Sequence, residues 1–183
     1  HFADVLGLVP NLNWSGGTSR PRFFQLRGIG ELEQYQGAPN PSVGFLIDDI
    51  DLSGVGMPAT LFDTQQVEVL RGPQGTRYGA NALAGLVKLK TREAATAPDF
   101  HAEVTGAEND TWSAGMAGGG PIGSAGSAWR IAGQTFSSDG FLHNTYLDRD
   151  DTNGRDESTL RGKLRWELAP DWRADLAVLY VDI

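Results

Sequence analysis

Residues Val67 to Thr91, VEVLRGPQGTRYGANALAGLVKLKT, decide how the rest of the chain is read. The β-branched run Val67-Glu68-Val69-Leu70, closed by Arg71-Gly72-Pro73, predicts a buried strand that meets a turn. Gly72, Gly75 and Gly79 punctuate the following residues, so the backbone must bend sharply there or approach another surface closely. From Leu83 to Lys90 a strand resumes, with Leu83, Gly85, Val87 and Leu89 set against Ala84, Leu86, Lys88 and Lys90. Only one side of its C-terminal half is apolar, and that half is expected to face polar surroundings. These glycines do not form a phosphate cradle, because GPQGTRYGAN lacks the Lys-Ser/Thr pair that reaches phosphate and Mg²⁺.

The composition narrows the alternatives. With 183 residues there is room for one medium domain, or for a small domain and part of something larger. The chain has no cysteine, which rules out disulfides, thiolate metal sites and a cysteine nucleophile. Acidic residues outnumber basic ones 23 to 15, a net charge of −8 that argues against a nucleic-acid-binding surface. No apolar run is long enough for a membrane-spanning helix, and no charged-then-apolar leader opens the chain. A β-barrel escapes that test, since its strands are apolar on one face only.

Ahead of the central stretch, Phe2, Val5, Leu6 and Val9 fall on one face of a short helix that stops by Pro10. Ser15 to Pro21 reads as a loop, Phe23 to Gly28 as a strand and Ile29 to Pro41 as a long polar loop. A strand is expected over Val43 to Leu52, ending in Asp48, Asp49 and Asp51, and a short helix over Pro58 to Thr64. Four strands with short helices in about 90 residues predict a compact α+β domain with a mixed sheet. Residues 93–98 are expected to be a linker between a first domain, 1–92, and a second, 99–183.

Beyond the linker, strict alternation takes over. Phe100, Ala102, Val104 and Gly106 oppose His101, Glu103, Thr105 and Ala107; Trp112, Ala114, Met116 and Gly118 oppose Ser113, Gly115 and Ala117. Trp129, Ile131 and Gly133 oppose Arg130, Ala132 and Gln134; Leu160 to Leu168 alternates with Arg161, Lys163, Arg165 and Glu167. A fifth run sets Trp172, Ala174, Leu176, Val178 and Tyr180 against Arg173, Asp175 and Ala177. Two readings are open. In a soluble β-sandwich the apolar faces meet across a core; in an outer-membrane barrel they face lipid while the charged faces line a polar lumen. Trp129, Trp166 and Trp172 all sit near short turns, as an interfacial girdle would, and the connection Ser138 to Glu157 is long and polar.

The run from Asp63 to Val87, with Leu26-Arg27-Gly28 and Val43-Gly44-Phe45-Leu46-Ile47-Asp48-Asp49-Ile50 upstream, resembles the plug-domain signature of TonB-dependent outer-membrane receptors. The resemblance covers roughly residues 1–92. It implies an α+β plug followed by the first five or so antiparallel strands of a transmembrane β-barrel, so that the chain is expected to be a fragment truncated at both ends. It also implies active uptake of a scarce nutrient across the bacterial outer membrane, most readily a ferric siderophore or other iron complex. The implied partners are the inner-membrane TonB energy-coupling complex, outer-membrane lipid and the small-molecule nutrient, with no cofactor, no nucleic acid and no catalysis. By the same resemblance, Arg27, Glu68 and Arg71 are expected to contact the barrel wall, and Arg20, Tyr35, Gln36 and Met57 to face the ligand. The rival is a soluble periplasmic or secreted binding module whose C-terminal half is a β-sandwich.

Other constellations are weaker. Asp48, Asp49 and Asp51 could hold a metal or do acid/base work, but carboxylates at a strand end are more often solvated or paired. Asp148, Asp150, Asp151 and Asn153 resemble half a calcium loop without its bidentate Glu. Gly118-x-Gly120-x-x-Gly123 matches a dinucleotide pattern by letters, yet Pro121 and the missing helix defeat it. His1, His101 and His143 are too scattered for a shared site.

Overall fold

The structure, a computed structural model, describes residues 2–16, 20–32, 41–55, 60–108, 110–123, 126–140, 142–169 and 171–183. The chain divides into two compact units, His1–Arg92 and Glu93–Ile183.

In the first unit, α1 (Phe2–Leu6) and the pair β1 (Leu12–Ser15) and β2 (Phe23–Leu26) precede β3 (Val43–Ile47), β4 (Ile50–Asp51), β5 (Thr64–Arg71), α2 (Gly75–Tyr78) and β6 (Gly85–Thr91). The main sheet is mixed, in the order β4-β3-β6-β5, with β3 and β6 parallel and the outer pairings antiparallel. Phe2 and Leu6, one helical turn apart, are buried by α1 against the strands. The rings of Phe2, Phe24 and Phe45 join helix, small sheet and main sheet, with centroids 5.4 Å apart for Phe2–Phe45 and Phe24–Phe45 and 6.4 Å for Phe2–Phe24. Val43, Leu86, Val87 and Leu89 fill the centre of the sheet.

Several expected elements shift. Val43 to Leu52 is not one strand but a hairpin, because Asp48 takes a left-handed φ of 55° and sends Ile50–Asp51 back along β3. The strand expected to reach Gly28 stops at Leu26, and Arg27 (φ 55°) and Gly28 (φ 79°) form the turn. Residues 12–15 form a strand that the periodicity did not reveal. β5 is half-buried rather than buried, since it is an edge strand paired only with β6. The described part of the expected helix over Pro58 to Thr64 is a turn, with the Thr60 hydroxyl accepting from the Phe62 N–H at 3.0 Å. Gly72 and Gly79 do have positive φ, 99° and 87°, and bracket α2.

The second unit is a five-stranded antiparallel sheet of β7 (Asp99–Ala107), β8 (Thr111–Ile122), β9 (Ser127–Ser138), β12 (Arg155–Ala169) and β13 (Trp172–Asp182), in the order β13-β12-β9-β8-β7. The connection read as a long polar loop carries a small hairpin, β10 (Leu142–Asn144) with β11 (Arg149–Thr152). Register brings every alternating apolar set to one face: Leu160 pairs with Gly133 and Gly133 with Met116, while Gly162 pairs with Ile131 and Ile131 with Gly118. That face is bare. Phe100 is 75% exposed, Val104 82%, Met116 63%, Leu176 59% and Val178 58%. No second sheet covers it among the described residues, and the sandwich reading fails on this point.

The polar face shows a close approach. Lys163, Arg130, Gly119 and Asp99 lie in one register row across β12, β9, β8 and β7. Arg130 extends across β8 to meet Asp99 at 2.9 and 3.1 Å. At Gly119, between them, a Cβ would lie 2.8 Å from the Trp129 carbonyl oxygen and 3.4 Å from Arg130 Nη1. Gly119→Val should therefore destabilise the sheet by about 1–3 kcal/mol through overpacking, read as a lower urea midpoint for loss of heat-modifiable gel mobility. At Gly106 a Cβ meets open space, and Gly106→Val should leave that midpoint where it was.

Candidate functional site: the gathered loops of the first unit and the polar face of the second

The loops after β1, β2 and β4 have their necks gathered beside the N-terminal ends of β3 and β6. Glu31 holds the second loop closed: its carboxylate accepts from the Ser42 N–H at 2.9–3.0 Å and from the Ser42 hydroxyl at 2.7 Å. Its carbonyl accepts from the Ser15 hydroxyl at 3.3 Å and from Gln25 Nε2 at 2.7 Å, which ties the first loop to the second. Arg22 donates Nε to the Gly54 carbonyl at 2.7 Å, with its guanidinium 5.4 Å from the Phe23 ring centroid, and so fastens the third. Ala84 N–H donates to the Ser42 carbonyl at 2.8 Å. Charge-assisted bonds of this kind are the stronger sort, and here they bind three chain segments that the fold alone would leave separate. Leu32, Val55 and Leu83, next in sequence to these anchors, are 70%, 57% and 68% exposed.

Beyond the C-terminal end of β3, the three carboxylates singled out from sequence go to three different partners. Asp48 accepts from the Thr91 N–H at 2.8 Å and from its hydroxyl at 2.9 Å, which seals the end of β6 beside the exit at Arg92. Asp49 meets Lys88 at 3.2 Å. Asp51 accepts from Asn81 Nδ2 at 2.8 Å and from the N–H and hydroxyl of Ser53. They do not converge, and among the described residues no group of His, Asp and Glu could hold a metal ion. Burial works against the charged form of Asp51, yet the Ser53 hydroxyl and N–H and the Asn81 amide outweigh it, holding the carboxyl below its ordinary 3.8.

Of the residues expected to matter, Arg20 is half-buried at the end of the first loop. Tyr35, Gln36 and Met57 lie outside the described residues. Arg27 and Arg71 come to one place: the Arg27 N–H donates to the Asn11 carbonyl at 2.9 Å, and Arg71 Nη2 to the neighbouring Pro10 carbonyl at 3.1 Å. Glu68 is not brought to them; it lies half-buried on β5 opposite Lys88. Sequence reasoning passed over Glu31, Arg22 and Asp48 as structural anchors, because nothing local to each announces a partner 11, 32 or 43 residues away.

In the second unit the polar face carries Arg130, Glu157 and Arg161, all buried. Arg165 Nε donates to Asp175 at 3.1 Å, and Asp175 also accepts from Arg173 at 2.7 Å. The half-calcium-loop residue Asp148 stands 4.0 Å from His143, and His101 pairs with Glu103 at 3.7 Å, so these histidines serve separate local contacts.

A globule with gathered loops, followed in the chain by an open antiparallel wall with a bare apolar face and an ionic opposite face, defines a plug and barrel wall. Residues 1–86 match the TonB-dependent receptor plug domain family, and the chain is related to TonB-dependent outer-membrane receptors. It is 29% identical to the pesticin receptor of Yersinia pestis over 90% of its own length and 24% of that protein. It is also 29% identical to the vitamin B12 transporter BtuB of Vibrio vulnificus, over 92% of its length and 27% of the relative. The crystal structure of the ferric yersiniabactin uptake receptor FyuA from Yersinia pestis superposes with a TM-score of 0.79 at 29% identity, covering 98% of this chain and 28% of that one. The chain thus spans about a quarter of the length of the relatives it matches.

Two predictions test the anchors. Glu31→Ala leaves the Ser42 N–H and hydroxyl without their acceptor, and should destabilise the first unit by about 1–3 kcal/mol, measured as a shift of its urea midpoint by tryptophan fluorescence. Because the folded value of Asp51 is lowered, its stabilising contribution is full above the ordinary 3.8 and lost as pH falls through the lowered value. Acid unfolding of Asp51→Asn, followed by circular dichroism, should accordingly show a flatter pH dependence than wild type below about pH 4.

Proposed function

We propose that the chain supplies the plug and opening wall strands of a receptor that takes up a ferric siderophore or other iron complex across the bacterial outer membrane, driven by the inner-membrane TonB complex. The likeness to FyuA over 98% of the chain at 29% identity carries this reading. In it the gathered loops present the ligand surface, with Arg20, Tyr35, Gln36 and Met57 on the loops that face the nutrient. Binding energy captures the ligand, and mechanical displacement of the plug, not a chemical step, lets it pass. Arg27, Glu68 and Arg71 serve as contacts between plug and wall, where low dielectric makes pairing of charges matter.

The relation to a vitamin B12 transporter favours cobalamin as the second reading. Expressed as the full-length receptor in a host lacking its own, the protein should import radio-iron complexed to siderophores, and import should vanish when TonB is deleted. Uptake of labelled cyanocobalamin alone would transfer the assignment to the second reading; TonB-independent uptake of either would end both. In the same host, Arg71→Ala should raise passive entry of a large antibiotic such as vancomycin, and unchanged leakage with unchanged transport would remove Arg71 from the plug–wall contact.

A further inference from the structure

The strap that joins the first unit to the wall is clasped before it reaches the wall's first strand. Glu93 Oε1 lies 3.7 Å from Lys163 Nζ, and Glu93 Oε2 lies 3.5 Å from Arg165 Nη2. Arg165 Nη1 donates to the Ala94 carbonyl at 3.3 Å, and Ala94 is buried. The Arg165 side chain is held for this by Asp175 on β13 at Nε, which leaves both Nη groups for the strap. Lys163 and Arg165 belong to β12, and the chain must then run back past β9 and β8 to begin β7 at Asp99. There a second fastening waits, the bond from Arg130 Nη1 to both carboxylate oxygens of Asp99.

The distances leave little slack. Crossing three strand intervals takes roughly 14 Å, and the five residue steps from Ala94 to Asp99 reach at most roughly 17 Å. With the clasp closed, Arg92 is one residue step, about 4 Å, from a point fixed on the wall. With it open, the leash runs from Arg92 to Asp99 and reaches roughly 24 Å. We infer that Glu93, Lys163 and Arg165 are a clasp that shortens the leash between the first unit and the wall's first strand, so that drawing Arg92 further than one residue step from the clasped point, with β6 intact, requires the clasp to open. The inference rests on the plug-and-wall reading above.

The test is conductance of the full-length receptor in planar lipid bilayers, with potassium chloride as carrier and urea raised stepwise to displace the plug. Glu93→Gln keeps the size of the side chain and removes its charge. It should raise the open fraction at a given urea concentration roughly two- to five-fold, the scale of a part-exposed ion-pair network. Lys163→Gln should do the same, and the double variant should add little to either single one, since both remove one interaction. A four-residue Gly-Ser insertion between Ala95 and Thr96 lies beyond the clasp and should leave the wild-type response unchanged, while in the Glu93→Gln background it should raise opening further. Wild-type and Glu93→Gln receptors that open alike, or an insertion that acts equally in both backgrounds, would overturn the clasp while leaving the plugged wall standing. A wild-type protein that never conducts at any urea concentration would overturn the plugged wall itself, and the clasp with it.

Discussion

The second unit depends on one constraint: an antiparallel ladder has a side-chain period of two, and its register fixes which sets share a face. Five runs that alternate independently in sequence are locked by pairings such as Leu160–Gly133–Met116 and Leu164–Trp129 so that all of them agree. A slip of one residue in β9 or β12 would put Arg130 or Lys163 among the apolar side chains. Among the described residues nothing covers the apolar face, and the sheet has no core across it there. Lipid is the medium in which that face costs nothing, and backbone groups saturated by the ladder are the condition for entering it. Trp129, Trp166 and Trp172 mark one end of this band, where β8 leads to β9 and β12 to β13, and where an indole has both an apolar body and a polar tip to satisfy.

The first unit solves the opposite problem. Its sheet is small, with β6 as the central strand between a parallel and an antiparallel neighbour, and Leu86, Val87 and Leu89 are all but fully buried on it. A core of this size leaves long connections with nothing to bury. They are held by side chain to backbone hydrogen bonds in place of apolar contact, from Glu31, Arg22 and Asp48. Polar anchors fix the necks of these loops and leave the tips free in composition. The Phe2–Phe24–Phe45 cluster then sets how the small sheet sits on the large one.

Much of this was legible in the residues, and the divide between what was and what was not is physical. The wall strands could be read because period-two alternation is a local signal repeated over many residues. The glycine-punctuated turn around α2 could be read because Gly72 and Gly79 adopt backbone angles that other residues avoid. The β3–β4 hairpin was hidden, since Val43 to Leu52 stays apolar enough to pass for one strand and the reversal hangs on a left-handed Asp48 stabilised by Thr91, 43 residues on. The strand Leu12–Ser15 shows only one buried residue of four, too little for a pattern. The anchors Glu31 and Arg22 were invisible for the same reason as Asp48: a charged side chain in or beside a polar loop looks solvated until its partner is in place.

Charge on the wall's polar face follows from these geometries. Arg130 is almost wholly buried as a side chain, 5% exposed, beside an Asp99 that is 38% exposed. An ion so enclosed is tolerable only when its partner is close and its remaining donors are met, and Gly119 is what lets the guanidinium lie flat across β8. The strap residues continue the same logic, with Glu93 paired to two cations that would otherwise repel each other across one face of β12. The acidic and basic residues that a composition count reports as a surplus of carboxylates are in fact sorted. Along β12, Glu157, Arg161, Lys163, Arg165 and Glu167 share the polar face, whereas the alternate positions from Leu160 to Leu168 are apolar or glycine.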